Sequence, residues 1–126
     1  MTDRQTHYLA GLGHFGQDRH EEAIAEYQKA LELSPDWTDA MHALATAHSK
    51  LGRNEKAVEI VERILELDPN DAFAYTSLSI FLMRLGKIPE AESAAAKARM
   101  LSWKEELKTN PNAQPPGPPG GMNVVQ

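Results

Sequence analysis

The same order of apolar and polar residues recurs along the chain at a spacing of 34 residues. The segment Ala30–Pro35 (ALELSP) returns almost unchanged 34 positions later as Ile64–Pro69 (ILELDP). The same spacing relates two sets of residues that are mostly small: Ala23, Ala57 and Ala91, and Asp18, Gly52 and Gly86. Self-similarity at a fixed period is typical of arrays of structural repeats. It divides the chain into three units, at about residues 4–37, 38–71 and 72–105.

Each unit is predicted to consist of two helices joined by a tight turn. Gly52 and Gly86 can adopt the left-handed conformation that ends many helices, and Asp18 tolerates it better than most residues. The proline that ends each matching segment closes a second helix, and Asp36 or Asn70 can then cap the helix that follows. We therefore expect helices over residues 3–16, 21–34, 38–50, 55–67, 72–84 and 89–107.

A 34-residue period with small residues at its eighth and twentieth positions and proline at its thirty-second resembles the tetratricopeptide-repeat (TPR) family. In this sequence those positions hold Gly11, Ala45 and Ser79, then Ala23, Ala57 and Ala91, then Pro35 and Pro69. The third unit departs from the pattern, since Ala95 replaces a large residue and Trp103 replaces the proline. The resemblance covers residues 4–108. It implies an all-α, right-handed α-solenoid of three helix-turn-helix units, in which small residues let the helices approach closely.

The resemblance also implies a function in protein–protein interaction, as an adaptor, scaffold or assembly factor. In TPR folds the first helices of the units line a concave groove. Apolar residues exposed in a concavity usually mark an interaction site, so the expected partner is a protein or peptide with an apolar or amphipathic segment. The candidate groove residues are Tyr8, Leu12, Phe15, His42, Thr46, Phe73, Thr76, Ile80 and Met83. For Leu12, Phe15 and Ile80, the alternative is packing between adjacent units, away from solvent.

One class of the family grips the C-terminal carboxylate of chaperone tails with lysine, asparagine and arginine side chains. The corresponding positions of this sequence hold Tyr8, Leu12, Ala43, Phe73 and Ser77, none of which is a cation or an asparagine. We therefore do not expect a carboxylate clamp. The groove as written favours apolar side chains of the partner.

The last helix is predicted to be extended, because Trp103 stands where the earlier units have proline. Ala96, Met100, Trp103 and Leu107 form an apolar stripe at helical spacing, which needs cover. The stripe either folds back over the third unit as a terminal cap, which repeat arrays require for solubility, or forms a homodimer contact through Met100, Trp103 and Leu107. The TPR domain would then occupy residues 1–108.

Residues 109–126 differ in composition from the rest of the chain. They contain five prolines and three glycines and no charged residue. Such a segment cannot bury enough apolar surface to fold, so a disordered tail is expected. The run Pro115–Pro119 could alternatively form a short polyproline II stretch that a proline-reading domain binds.

Composition excludes several classes of function. The net charge is −5, which has the wrong sign for binding nucleic acid through phosphates. The chain has no cysteine, so disulfides and thiolate metal sites are excluded. No apolar run approaches the roughly 18 residues that membrane insertion needs. The N-terminus is polar and lacks the pattern of a signal peptide, so we expect a cytoplasmic location.

A remote alternative is a nucleotide- or metal-dependent enzyme. Residues Gly11–Gly16 (GLGHFG) match the dinucleotide-binding fingerprint, but that motif works between a strand and a helix, and no strand is predicted before it. His14 and His48 share position eleven of their units, where the family has packing aromatics, and no pair of histidines has the spacing of a helical zinc site. We therefore predict no enzyme activity, cofactor or metal. Each glycine inside the first helix costs about 1 kcal/mol relative to alanine, so this helix should be the weakest.

Overall fold

The computed structural model describes residues 3–117, and this range contains six helices and no strand. Every predicted helix is present, and no bound differs from its prediction by more than one residue. The helices form three consecutive hairpins, which confirms the expected all-α solenoid. The helices are α1 (Arg4–Gly16), α2 (His20–Leu33), α3 (Thr38–Lys50), α4 (Asn54–Leu67), α5 (Ala72–Arg84) and α6 (Ile88–Leu107).

The turn inside each hairpin has the same geometry in all three units. Asp18, Gly52 and Gly86 have φ angles of 62°, 80° and 78°, in the left-handed region that the sequence predicts for them. In the second unit, the amide of Arg53 donates to the carbonyl of His48 at 2.9 Å, and the other two units repeat this bond. These are the hydrogen bonds of a Schellman motif, which satisfies the last carbonyls of the helix.

The starts of α3 and α5 agree with the prediction, but their predicted capping residues lie one position too early. Asp71, not Asn70, caps α5, because its side chain accepts a hydrogen bond from the amide of Ala74 at 3.0 Å. No side chain caps α3, which follows Trp37, and Asp36 instead forms an ion pair with Arg63. A capping residue directly precedes the first helical residue, so Trp37 and Asp71, and not Asp36 and Asn70, occupy the capping positions of α3 and α5.

The core consists of two clusters, one at each junction between units. Between the first and second units it is formed by Ala23, Ile24, Tyr27, Leu44 and Ala47. Between the second and third units it is formed by Met41, Ala45, Ala57, Val61, Ile64, Ala74 and Phe81. The alanines at the twentieth position of each unit are fully buried, which agrees with their predicted role in close helix packing. Each unit thus covers the apolar face of its neighbour.

His48 is buried in this core without a hydrogen-bonding partner. Its side chain is 6% exposed, and neither ring nitrogen bonds to a residue in the range 3–117. Burial lowers the pKa of His48, and the positive charges of Arg53 and Lys56 lower it further, while Glu21 opposes them. The ring is therefore neutral in the folded protein over a range of pH in which an unfolded histidine takes up a proton.

Acid should therefore destabilise the fold through His48. Below about pH 6.5 the unfolded chain binds the proton more readily than the folded chain, so the free energy of unfolding falls by up to about 1.4 kcal/mol per pH unit. Replacing His48 with phenylalanine should remove this contribution. Urea denaturation at pH 7.5, 6.5 and 5.5 measures it, with His14→Phe, at the half-buried equivalent position of the first unit, as the control. Equal pH dependence of wild type and His48→Phe would contradict the prediction.

Candidate functional site

A pocket of about 350 Å³ lies on the face formed by α1, α3 and α5, and most of the predicted groove residues line it. We call it the groove pocket. Residues from all three units contribute: Tyr8, Leu12, Phe15, Tyr27, Asp39, His42, Ala43, Thr46 and Phe73. The sequence predicts a groove with apolar ends and a polar centre. The structure brings residues of the first unit and Phe73 of the third unit to one pocket, with the polar side chains of the second unit between them.

Phe73 and Leu12 are the apolar side chains of the pocket that are most accessible to solvent. Phe73, in the first turn of α5, is 61% exposed, and Leu12 is 41% exposed. The ring of Phe73 lies 4.8 Å from the ring of His42. The exposure of Leu12 disagrees with the alternative that this side chain packs between units, away from solvent.

Tyr8 and Phe15 form half-buried walls of the pocket. The ring of Tyr8 packs 4.8 Å from that of Trp37, and the ring of Phe15 meets His20 edge-on at 4.9 Å. Both side chains are thereby held in place while one side of each faces the pocket. The role of Trp37, which also lies under the guanidinium of Arg4, was not foreseen from the sequence. It sits in the loop between units, where no helical spacing signals a contact.

The polar side of the pocket is organised around Asp71. One carboxylate oxygen of Asp71 lies 2.8 Å from Nε2 of His42, while the other caps α5 through the amide of Ala74. Thr46 donates its hydroxyl hydrogen to the carbonyl of His42 at 3.0 Å. One carboxylate therefore fixes both the His42 ring and the start of α5. Sequence reasoning missed Asp71, and the only available signal was its suitability as a helix cap.

Tyr27 also lines the groove pocket, although it is not among the predicted groove residues. Its side chain is fully buried at the junction of the first two units, and its hydroxyl has no hydrogen-bonding partner within residues 3–117. Burial raises the pKa of Tyr27 to about 12, and Tyr8 contributes to the rise. The side chain is therefore a neutral phenol, and it supports the Tyr8 wall from behind, with the two ring centroids 6.0 Å apart.

The remaining predicted groove residues lie elsewhere. Thr76 and Ile80 line a separate pocket of about 460 Å³ between α5 and α6, which we call the terminal pocket. Ile80 is exposed there, so it does not pack between units. Met83 is also exposed but is not among the residues that line either pocket. The predicted groove is thus divided between two surfaces.

The terminal pocket also contains Trp103 and part of the segment that follows α6. Nε1 of Trp103 donates to the carbonyl of Ala113 at 3.0 Å, and Pro116 lines the same pocket. Trp103 and Leu107 are half-buried and Met100 is exposed. Residues 109–117 thus turn back towards α6. The predicted disorder of residues 109–126 and the polyproline alternative fall partly on residues 118–126, which lie outside the described range.

The GLGHFG motif does not have the structural setting that dinucleotide binding by such a motif requires. The GLGHFG motif lies entirely within α1, so its amides are inside a helix and are not presented at a helix start. Among the residues described, no three histidine, aspartate or glutamate side chains come together as metal ligands would. Within residues 3–117, no helix combines the length and the apolar character needed to cross a bilayer.

The family model described as "Tetratricopeptide repeat" matches residues 14–79, just over half of the chain. The chain belongs to the tetratricopeptide-repeat family. TPR proteins use the curvature of stacked repeats to form concave binding surfaces, so this chain has the architecture of an interaction module. No curated protein sequence matches the chain significantly.

Solved TPR structures share the fold. A crystal structure of MamA superposes with a TM-score of 0.79 and 27% identity, over 83% of this chain and 61% of MamA. The first TPR of Spaghetti (RPAP3), bound to the HSP90 peptide SRMEEVD, superposes with a TM-score of 0.73 and 21% identity, over 87% of this chain and 81% of that one. YrrB, described as a TPR protein with an unusual peptide-binding site, superposes with a TM-score of 0.73 and 19% identity, over 89% of this chain and 54% of YrrB. The matched region of MamA shows that this chain spans about three fifths of the length of that protein.

Proposed function

We propose that this TPR protein is an adaptor, scaffold or assembly factor that binds an apolar or amphipathic segment of another polypeptide in the groove pocket. The observation that carries the proposal is the exposure of Phe73. An aromatic side chain that is 61% exposed on the rim of a concave, largely apolar pocket is typical of an interaction site. Leu12 lines the same pocket and adds a second exposed apolar contact.

The fixed surroundings of Phe73 also favour binding. His42 and Asp71 hold the start of α5, and Trp37 supports Tyr8, so the pocket walls need little ordering when a partner arrives. A preformed pocket lowers the entropic cost of association. Two of the similar structures are described as a complex with a peptide and as having a peptide-binding site, which supports a peptide partner of some kind.

The carboxylate clamp is not part of the proposal. The clamp positions hold no cation and no asparagine, and no lysine or arginine is among the residues that line the groove pocket. We also propose no catalytic, nucleotide-dependent or metal-dependent activity, because the one motif that suggested it is helical. A cytoplasmic location and the absence of nucleic-acid binding are parts of the same proposal, and the net charge of −5 disfavours contact with nucleic-acid phosphates.

Self-association through Met100, Trp103 and Leu107 is the second candidate. The hydrogen bond from Trp103 to Ala113 favours the capping role of this stripe, because the indole is already bonded within its own chain. Exposure of Met100 is what remains in favour of a dimer. Sedimentation velocity of wild type and Met100→Glu distinguishes the two, since a dimer through this stripe should dissociate in the variant.

Charge placed in the groove pocket should remove partner binding. We expect the affinity of the partner for Leu12→Glu/Phe73→Glu to be at least about thirtyfold lower than for wild type. Truncation of central anchors in an interface costs about 2 kcal/mol or more. Both side chains are exposed, so the variant should keep its fold. Quantitative affinity purification from lysate of the source organism, followed by titration of the recovered partner, measures the effect.

Leu33→Glu provides the matched control. Leu33 is 57% exposed at the end of α2 and is not among the residues that line the groove pocket. The substitution therefore introduces a glutamate on an exposed surface outside the pocket. Partners retained by this control and lost from the double variant would support the groove pocket as the binding site. Identical partner lists from all three proteins would contradict it.

A further inference from the structure

A carboxylate, and no lysine or arginine, is among the residues that line the groove pocket. Asp39 lines the pocket, is exposed, and forms no ion pair with any residue in the range 3–117. Asp71 lies directly behind the pocket, bonded to His42. The apolar surface of Leu12 and Phe73 is therefore bordered by the carboxylate of Asp39, while His42, the basic side chain among the lining residues, is already bonded to Asp71.

This acidic border continues along one edge of the solenoid. Because the helices alternate in direction, the starts of α1, α3 and α5 share an edge with the ends of α2, α4 and α6. Asp36, Asp39, Asp68 and Asp71 all lie at this edge, in or next to the two loops between units. Asp36 is paired with Arg63 and Asp71 is bonded to His42, so Asp39 and Asp68 are the carboxylates of this edge that can attract positively charged groups of a partner.

Arg4 and Arg63 bring positive charge to this edge, and each is engaged by a group of the protein itself. The guanidinium of Arg4 lies over the ring of Trp37 and donates to the hydroxyl of Ser34. Arg63 forms ion pairs with Asp36 and Glu66. Both carboxylate oxygens of Asp71 also form hydrogen bonds within the protein, to His42 and to the amide of Ala74. Asp39 is therefore the carboxylate at the pocket that remains available to a ligand.

We propose that the groove pocket recognises a basic amphipathic segment, in which a large apolar side chain enters beside Leu12 and Phe73 while a neighbouring lysine or arginine pairs with Asp39. This inference rests on the proposed function and adds the charge of the partner to it. The proposed segment is opposite in charge to the acidic end of the peptide SRMEEVD that the Spaghetti TPR binds. Charge complementarity of this kind contributes to specificity and association rate more than to affinity.

The test uses a displayed library of random twelve-residue peptides, selected against the full chain. We expect the selected sequences to combine a large apolar residue with a lysine or arginine a few positions away. For the best peptide, resynthesised with blocked ends, replacing its basic residues with glutamate should weaken binding about tenfold or more. Fluorescence anisotropy in about 0.05 M and about 0.5 M salt should show weaker binding at high salt, as expected for partly exposed charges.

Substitutions at Asp39, with the same substitutions at Asp36 as the control, localise the effect. Asp39→Asn should weaken binding about threefold, within the range of exposed ion pairs, and Asp39→Lys should weaken it further, because the lysine repels the partner's basic residue. Asp36→Asn and Asp36→Lys make the same charge changes at the same edge but outside the groove pocket, and should change affinity less than twofold. Thermal denaturation of each variant checks that the fold is retained, since Asp39 also lies in the first turn of α3.

The outcomes separate this inference from the proposed function. Peptides that lose affinity in Leu12→Glu/Phe73→Glu, but carry no basic residue or respond equally to changes at Asp36 and Asp39, would overturn the inference and leave the groove pocket as the binding site. Peptides that bind the groove variant as well as wild type, or a selection that yields no peptide, would overturn both. Basic peptides that respond specifically to Asp39 support both.

Discussion

Truncation of Tyr27 to alanine is expected to lower the free energy of unfolding by about 3–5 kcal/mol, the range for removing a buried aromatic ring. Tyr27 is fully buried at the junction of the first two units, where it joins the core cluster with Ile24 and Leu44. In a repeat array, loss of this contact weakens the fold of the first unit and its attachment to the second. Urea denaturation followed by circular dichroism measures the change.

Tyr27→Phe separates the role of the ring from that of the hydroxyl. The hydroxyl is buried and has no partner within the described residues, so its removal should raise the free energy of unfolding by about 1 kcal/mol. A loss of more than about 1 kcal/mol in Tyr27→Phe would instead indicate a hydrogen bond to the hydroxyl. A small effect of Tyr27→Ala would show that the first unit is not stabilised through this junction.

Gly11→Ala is expected to destabilise the protein by about 1–3 kcal/mol, although alanine favours a helix over glycine by about 1 kcal/mol. A β-carbon at residue 11 would lie 2.6 Å from Cδ1 and 3.1 Å from Cζ of Tyr27, which is too close for the buried ring to adjust freely. This close approach of α1 and α2 is the packing that a small residue at the eighth position permits. Urea denaturation again provides the measurement.

Gly13→Ala is the matched control for this effect. A β-carbon at residue 13 meets no atom within 4 Å, so this substitution should stabilise the protein by about 1 kcal/mol through helix propensity alone. In a Tyr27→Leu background the penalty of Gly11→Ala should shrink, because the clashing ring is gone. If Gly11→Ala and Gly13→Ala changed stability by the same amount, the steric explanation would be wrong.

The contrast between these glycines refines the prediction that the first helix is the weakest. The sequence treats the glycines of GLGHFG alike, as helix-weakening residues. The structure gives Gly11 a packing role and gives none to Gly13, whose helix-weakening effect is uncompensated by contacts. Hydrogen exchange of α1 compared with α3 and α5 tests whether the first helix opens most readily.

The candidate site was predictable only in part. Repeat positions place Tyr8, Leu12 and Phe73 on the face formed by the first helices, because the phase of a helix fixes which residues share that face. They did not predict that Phe73 of the third unit shares a pocket with Leu12 of the first. That meeting depends on the curvature of the whole array, to which every junction between units contributes.

The sequence by itself determined the three units, the six helices and their bounds to within one residue. These features follow from local chemistry, since residues 18, 52 and 86 tolerate the left-handed conformation and Pro35 and Pro69 interrupt helices. Only the tertiary structure decided that Asp71 joins His42, that Trp37 supports Tyr8 and that Trp103 bonds to Ala113. Each of these contacts joins residues from different elements, so it depends on how helices and loops pack, which no local sequence pattern encodes.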